Sequence, residues 1–328
     1  MCEGAAFVTE ARVEANELTK RFGSRVAVDG VSFTAHEGEV LGLLGRNGAG
    51  KTTTIRLLTT VLAPTSGQFR VAGVPHTRAA GIRRRVGVLA ESAGYPGHQT
   101  GQEYLSYHGR LFGLSRSDAR RTAQRLLTQV GLEERASSRI ATYSRGMRQR
   151  LGIARALVND PVVVFLDEPT LGLDPAGHRQ VLQLVRDIAQ QGGATVVLST
   201  HALTDVEQVC TTVLILDGGK VVARGPVGEV ARAAAAPRTG QLRVPIELVD
   251  RATQALTAIA GLTLEATEDR PDVLHIALTG GSGADGDGDG MNAALRAVLR
   301  ADVPVLSFDV EGARLSDAFL TMTRDGVR

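Results

Sequence analysis

The amino-acid sequence predicts an α/β fold in two parts, and three observations support this prediction. Short apolar runs alternate with helix-forming stretches through residues 12–232, an order typical of a mainly parallel sheet. A glycine-rich segment separates a predicted strand from a predicted helix, which is where phosphate-binding loops occur. Residues 241–328 show the order β-α-β-β-α-β, which is typical of a small α+β ferredoxin-like sandwich.

The strands of the first part are predicted from alternation and from short apolar runs. They lie at residues 12–18, 31–35, 39–44 and 85–89. The glycine-rich segment follows the third strand and leads into a helix that extends to about Thr60. Residues 64–67 are predicted to form a turn, because proline and glycine favour turns.

Helices and strands then alternate along the chain. Thr100 and Glu103 form a capping-box pattern, which opens a helix predicted to end near Gly113. Gly131 marks the end of the next helix. The elements that follow are helices at 117–130, 146–159 and 178–191, strands at 162–166 and 195–199, and a hairpin turn at 217–219.

An alanine-rich stretch with Pro237 interrupts this order, and it predicts a linker at residues 233–240. The linker divides the chain into parts at 12–232 and 241–328. The second part is predicted to contain strands at 241–246, 263–268, 273–278 and 305–311, helices at 248–259 and 291–300, and a closing helix at 315–323.

Composition excludes several classes of protein. The 37 Lys+Arg residues nearly cancel the 35 Asp+Glu residues, so the formal net charge is +2 and no nucleic-acid partner is expected. No apolar run approaches the roughly 18 residues of a membrane span, and the N-terminus has no apolar core of the signal type. Cys2 and Cys210 are too few for a disulfide framework, which is typical of a reducing compartment.

The glycine-rich segment fits the phosphate-loop pattern G-x-x-x-x-G-K-[ST] without a mismatch. Glycines let the backbone wrap closely around a phosphate, and the following helix presents its positive N-terminal end. The lysine supplies a point charge to the β- and γ-phosphates, and the threonine hydroxyl is a ligand for Mg²⁺. The predicted phosphate-binding residues are Gly45, Arg46, Asn47, Gly48, Ala49, Gly50, Lys51, Thr52 and Thr53.

Two carboxylates, Asp167 and Glu168, follow a buried apolar strand. Asp167 is predicted to hold Mg²⁺ through its water shell. Glu168 is predicted to orient or deprotonate an attacking water. Such a pair is usually part of a solvated loop when it stands alone, but a phosphate loop in the same chain favours phosphoryl hydrolysis.

These motifs resemble those of ATP-binding subunits of ABC transporters, and the resemblance covers about residues 14–229. It implies an ABC ATPase core of the P-loop NTPase class, with an antiparallel β subdomain and a helical subdomain at about 91–145. It implies ATP and Mg²⁺ as ligands. Phe22 corresponds to the aromatic residue that stacks on adenine, and His201 to the switch histidine that touches the γ-phosphate.

The resemblance also implies that two copies of the chain enclose ATP between them. Asp174 corresponds to a D-loop residue at the dimer interface. A signature segment at a helix start is expected to meet the ATP that is bound by the second copy. The signature residues are Ser144, Arg145, Gly146 and Met147.

The sequence departs from the family pattern at four positions. Phe22 stands where tyrosine is commoner, and little loss is expected because stacking needs only the ring. Glu91 stands where glutamine usually serves as a Mg²⁺ ligand and senses the membrane partner, so its carboxylate adds negative charge near the phosphates. Arg145 replaces a common glycine, and Met147 replaces a common glutamine. Ser144 and Gly146, which bind phosphate in the family, are retained.

The variants and the additional C-terminal part resemble a subgroup of drug-resistance exporters of the daunorubicin type, together with related multidrug or sodium exporters. In this subgroup the ATPase and a permease of about six helices are separate chains. The resemblance implies an ATPase at the cytoplasmic face of a bacterial membrane, which powers export of a drug, antibiotic, lipid or ion.

Two other functions remain open. One is an ABC-type ATPase that works without a membrane partner, in translation or repair. The single phosphate loop and the short interval between Thr52 and Ser144 argue against it. The other is a regulator that only binds ATP, and the presence of both Glu168 and His201 argues against that function.

Overall fold

The computed structural model describes residues 10–91, 94–233, 239–259, 261–266, 270–278 and 289–311. The chain divides into two compact units, Met1–Val227 and Gly228–Arg328. In the described part of the chain, no helix is both long enough and apolar enough to cross a membrane.

The first unit alternates strands and helices. It begins with β1 (Ala11–Phe22), β2 (Arg25–His36), β3 (Val40–Leu44), α1 (Lys51–Leu58), β4 (Ser66–Val71), β5 (Val74–Pro75), α2 (Ala79–Arg83) and β6 (Val86–Leu89). It continues with α3 (Gly101–Leu111), α4 (Arg116–Gln129), α5 (Arg145–Ala156), β7 (Val163–Asp167), α6 (Pro175–Gln190), β8 (Thr195–Thr200), α7 (Leu203–Val209), β9 (Thr212–Asp217) and β10 (Lys220–Pro226).

A six-stranded sheet forms the centre of this unit, with the order β10-β9-β3-β8-β7-β6. All of its pairs are parallel except the hairpin β9–β10, so the predicted mainly parallel α/β sheet is confirmed. Strand β8 lies between β3 and β7. Leu44 pairs with Thr200, and Asp167 pairs with Ser199, so the carboxyl ends of three strands meet at one edge.

A second, antiparallel sheet has the order β2-β1-β4-β5 and packs on one face of the first through a shared apolar core. Its largest fully buried side chains include Phe33 and Phe165, one from each sheet. The structure differs here from the turn that the sequence predicts at residues 64–67. Ser66 and Gly67 in fact begin the strand, since pairing with β1 orders a segment of weak strand propensity.

Helices α3, α4, α5 and α6 surround a second core on the other face of the central sheet. The predicted capping box is present at α3. Glu103 N donates to Thr100 Oγ1 over 3.2 Å, and Thr100 N donates to Glu103 Oε2 over 2.8 Å. Helix α6 begins three residues before its predicted start, because Asp174 caps it and Pro175 fits its first turn.

One more helix, α8 (Val227–Ala233), follows β10. It ends at Ala233, so it includes the first residue of the segment predicted as linker, 233–240. Alanine has the highest helix propensity, which explains this difference. Residues 234–238 of the predicted linker lie outside the described residues.

Beyond α8, the described residues of the second unit form two helices and a four-stranded antiparallel sheet. Its elements are β11 (Thr239–Arg243), α9 (Val249–Thr257), β12 (Leu262–Ala266), β13 (Val273–Leu278), α10 (Asp289–Arg300) and β14 (Ser307–Glu311). The sheet order is β12-β13-β11-β14, and Leu242, Leu256 and Val298 are fully buried in the core. The closing helix predicted at 315–323 lies outside the described residues.

Candidate functional site

The phosphate loop connects β3 to α1 and takes a shape that requires glycine. Gly48 and Gly50 have φ angles of +84° and +105°, which L side chains rarely adopt. A Cβ atom at Gly50 would lie 2.6 Å from the carbonyl oxygen of Ala27 on the neighbouring sheet. Any other residue at Gly48 or Gly50 would therefore have a strained backbone, and a side chain at Gly50 would also clash with β2.

Lys51 is the first residue of α1, and its side chain is 6% exposed. Its Nζ donates to the carbonyl oxygens of Gly45 over 2.7 Å and of Arg46 over 3.3 Å, so the loop curls around the ammonium group. The same atom lies 3.4 Å from Oε1 of Glu168. One lysine thus joins the phosphate loop to the end of β7.

Asp167 is the last residue of β7 and is 3% exposed. Its Oδ1 accepts from Thr52 Oγ1 over 3.1 Å and from Ser199 Oγ over 2.5 Å. A carboxylate and a hydroxyl at this distance are oxygen ligands of the kind that Mg²⁺ prefers, and Mg²⁺ takes its other ligands from phosphates and water. Thr52 and Asp167 therefore fit the predicted ion.

Glu168 and His201 form a pair at the carboxyl ends of β7 and β8. Nδ1 of His201 lies 2.9 Å from Oε2 of Glu168, and the side chain of His201 is 48% exposed whereas that of Glu168 is 9% exposed. Glu168 has a φ of +49°, and its N–H donates to the backbone oxygen and to Oγ of Ser199. Neighbouring backbone and side-chain groups thus fix the carboxylate between Lys51 and His201.

These residues border a cavity of about 430 Å³. Glu91, Glu168 and His201 meet residues 46–53 of the phosphate loop there. In the described part of the chain, Gly45 and Asp167 do not line the cavity, although Asp167 bonds to Thr52, which does. Three of the residues around the cavity were not predicted. The cavity is lined by Arg25, Ala27, Arg46, Asn47, Gly48, Ala49, Gly50, Lys51, Thr52, Thr53, Glu91, Glu168, Leu171 and His201.

Phe22 is absent from the described residues that line the cavity. It ends β1 with 48% of its surface exposed, and Nζ of Lys20 lies 5.2 Å from the centre of its ring. An exposed ring is free to stack on a base, but the contact with adenine remains a prediction.

The signature segment lies elsewhere, since none of its four residues lines this cavity in the described part of the chain. Ser144 caps α5 by accepting from Met147 N over 3.2 Å. A Cβ atom built at Gly172 would lie 2.5 Å from the guanidinium of Arg145. The arginine that replaces the usual glycine therefore lies directly against the turn before Asp174 in its own chain.

Sequence reasoning missed Ser199 and Arg25. Ser199 ends a predicted strand, but only the sheet order shows that this strand lies beside β7, where its hydroxyl reaches Asp167 and Glu168. Arg25 begins β2 and reaches the cavity because the second sheet packs against the phosphate loop. Neither contact has a signal in local sequence spacing.

A second cavity, of about 1080 Å³, lies where α2, the end of α3, α4 and the turn after α5 approach one another. We call it the cleft. Leu111 and Phe112 border it with 63% and 46% of their surfaces exposed. The charged residues that line it are Arg83, Arg84, Arg125 and Asp160, so its wall combines apolar surface with net positive charge.

Comparison with known proteins supports the resemblance that the sequence motifs indicate. The family model described as ABC transporter matches residues 28–171. The daunorubicin/doxorubicin resistance ATP-binding protein DrrA of Streptomyces peucetius is 36% identical over 317 residues, which are 95% of this chain and 92% of that protein. The Nod factor export ATP-binding protein I of Paraburkholderia xenovorans is 40% identical over 217 residues, which are 66% of this chain and 71% of that protein.

A solved structure is similar as well. It is the dimeric structure of a post-hydrolysis state of an ATP-binding cassette bound to ADP and Pi. The two chains are 25% identical, and the match covers 65% of this chain and 98% of the cassette, with a TM-score of 0.60.

Proposed function

We propose a function that starts from one premise: this chain belongs to the ABC transporter family, as an ATP-binding subunit with ATPase activity. In our proposal, it hydrolyses ATP to power export of a small molecule through a separate membrane protein, at the cytoplasmic face of the membrane. The names of the two relatives, which concern drug resistance and Nod factor export, support export as the direction of transport. The convergence of Lys51, Glu168 and His201 on one cavity is the observation that carries hydrolysis.

In this proposal, each of these side chains has a role in hydrolysis. Lys51 holds the terminal phosphates, whose oxygens would replace one of the three contacts that its ammonium makes with two loop carbonyl oxygens and with Glu168. Glu168 takes a proton from water while the water oxygen bonds to the γ-phosphorus and the bond to the bridging oxygen breaks, which releases ADP and phosphate. Thr52 and Asp167 would hold Mg²⁺, which neutralises phosphate charge when bound.

The proposed active form is a dimer of this chain. Ser144 and Gly146 lie outside the cavity of their own chain, so a second copy would have to present them to the γ-phosphate. The start of α5 suits this role because helix N-termini attract anions. ATP between the two copies would favour the closed state, since it contacts both chains only there.

Replacement of Glu168 by glutamine tests the proposed hydrolysis. Glu168→Gln keeps the shape of the side chain but removes the base, so turnover of Mg-ATP is expected to fall by roughly 10²- to 10⁴-fold while nucleotide affinity is retained. Steady-state phosphate release and binding of a fluorescent ATP analogue measure the two quantities. Glu133→Gln, at an exposed glutamate outside the cavity, is the matched control. Hydrolysis at the normal rate in Glu168→Gln would show that another group is the base.

We further propose that the membrane partner docks in the cleft. Its exposed apolar residues and its three arginines against one aspartate fit an amphipathic segment that carries acidic side chains. The cleft borders α3 and α4, which follow the segment of Glu91. A partner seated there would therefore lie close to the chain segment that connects to the nucleotide cavity.

Charge reversal in the cleft tests the docking site. The double substitution Arg84→Glu and Arg125→Glu is expected to abolish co-purification of the chain with its membrane partner, because acidic groups would then oppose each other. Arg116→Glu, on the exposed start of α4 and outside the cleft, should leave co-purification unchanged. Equal recovery of the partner with both variants would place docking elsewhere, and recovery of no partner with the wild-type chain would favour an ATPase without one.

A further inference from the structure

Asp205 is a fully buried carboxylate that the proposed chemistry does not use. It lies in the first turn of α7, and its side chain is 0% exposed. Oδ2 accepts from Thr170 Oγ1 over 2.6 Å, and Oδ1 lies 2.8 Å from Nε2 of His178. A buried carboxylate is costly unless it is hydrogen-bonded, so these two contacts hold the side chain in one place.

Thr170 and Asp205 each lie shortly after a residue of the Glu168–His201 pair. Thr170 follows Glu168 by two positions, and Asp205 follows His201 by four. Because His201 also bonds to Glu168, the contacts form a closed ring, from Glu168 through His201 and Asp205 to Thr170 and back. The ring leaves the spacing between the water-activating carboxylate and the histidine little freedom.

A second branch leads to the proposed dimer interface. His178 lies in the first turn of α6, whose N-cap is Asp174, and His178 N donates to the backbone oxygen of Asp174 over 2.9 Å. Thr170 accepts at its backbone oxygen from Leu173 N over 3.2 Å. Asp205 thus contacts both ends of the segment between Glu168 and α6.

We propose that Asp205 is a positioning residue, which couples the segment of Asp174 to the Glu168–His201 pair so that hydrolysis requires both to be in place. In the described part of the chain, Asp205 does not line the nucleotide cavity, and it acts through Thr170 and His178. Displacement of the Asp174 segment by a second copy would shift α7 and with it His201. This inference rests on the proposed function, because it assigns a control to that same hydrolytic site.

A pair of substitutions at Thr170 tests the coupling. Thr170→Val keeps the shape but removes the hydroxyl, and we expect kcat for Mg-ATP to fall roughly 10- to 100-fold with KM unchanged, as small misplacements of catalytic groups do. Thr170→Ser keeps the hydroxyl and should restore most of kcat. Both are measured on the full chain, together with the melting temperature. A role in stability alone would not separate kcat from KM.

His178 provides an independent test, since its side chain is 29% exposed and is the other side-chain partner of Asp205. His178→Leu removes the donor to Asp205, and His178→Gln keeps an amide donor, so only the first should lower kcat. If kcat stays at the normal value in both Thr170→Val and His178→Leu, the proposal is overturned. It is equally overturned if Thr170→Ser is as slow as Thr170→Val. ATP binding and wild-type turnover are independent of these outcomes, so the proposed function would stand.

Discussion

At the phosphate loop, Gly50 has a backbone conformation and a packing contact that leave no room for a side chain. A Cβ atom at Gly50 would meet the carbonyl oxygen of Ala27 at 2.6 Å, and the φ of +105° adds strain. We expect Gly50→Ala to abolish binding of a fluorescent ATP analogue, because the loop would have to move away from β2 and lose its shape. Equilibrium titration measures this affinity.

Gly113 offers a matched control for this prediction. Its φ is +93°, but a Cβ atom there would meet nothing within 4 Å. Gly113→Ala should therefore cost about 1–2 kcal/mol of stability from backbone strain alone and leave nucleotide affinity unchanged. Normal affinity in Gly50→Ala would show that the loop tolerates displacement.

Residues with a fixed motif spacing were predictable from the sequence, and residues that act across the sheet were not. Lys51 and Thr52 belong to one continuous pattern, and the structure places both at the cavity. Glu168 and His201 follow predicted strands, and the sheet brings them within 2.9 Å. Ser199 was missed, because its contact with Asp167 depends on the pairing of β7 with β8.

Helix α3 carries a histidine whose ionisation opposes folding. The His108 ring packs edge-on against Tyr104, with centroids 4.7 Å apart, and burial together with the nearby charge of Arg155 lowers the His108 pKa below its ordinary value. The unfolded chain therefore binds more protons at this site than the folded chain when the pH falls below about 6.5. Stability is lost there as the pH decreases, and it is unaffected well above that value.

His108→Gln tests this pH dependence, because glutamine does not titrate. The wild-type chain should lose more of its denaturant midpoint between pH 8 and pH 5 than the variant does. Chemical unfolding at several pH values measures the difference between the two curves. An identical slope in both chains would mean that His108 takes up its proton without opposing folding.

At the level of elements, local signals decided what could be predicted. The capping box of α3 was visible in Thr100 and Glu103, because its two hydrogen bonds join residues three apart. Strand β4 was not predictable from local sequence. Ser66 and Gly67 are residues that favour turns, and here they are extended because they pair with β1. The early start of α6 depends on Asp174, whose Oδ1 accepts from Gly177 N, and this capping bond also joins residues three apart.

At the scale of the whole molecule, each proposed ATP site has two halves, and the two halves lie at different places on one chain. The phosphate loop and Glu168 line the cavity, whereas the signature residue Ser144 caps α5 outside it. Sequence spacing could not show this separation, because it depends on how the helices around α5 pack on the sheet. This separation has a direct consequence: a chain with a defective phosphate loop and a chain with a defective signature segment could together form one intact ATP site.

Mixing two inactive variants tests this composite site. Lys51→Ala disables the phosphate loop, and Ser144→Asp keeps the helix cap but opposes the γ-phosphate with a negative charge. Each variant alone should hydrolyse almost no ATP. An equimolar mixture should recover roughly a quarter of wild-type activity, because half of the dimers are mixed and each has one intact site of two. The control mixes Lys51→Ala with a chain that carries both Lys51→Ala and Ser144→Asp, because dimers of these two chains contain no intact site. A mixture that stays as inactive as this control would indicate that each chain completes its own site.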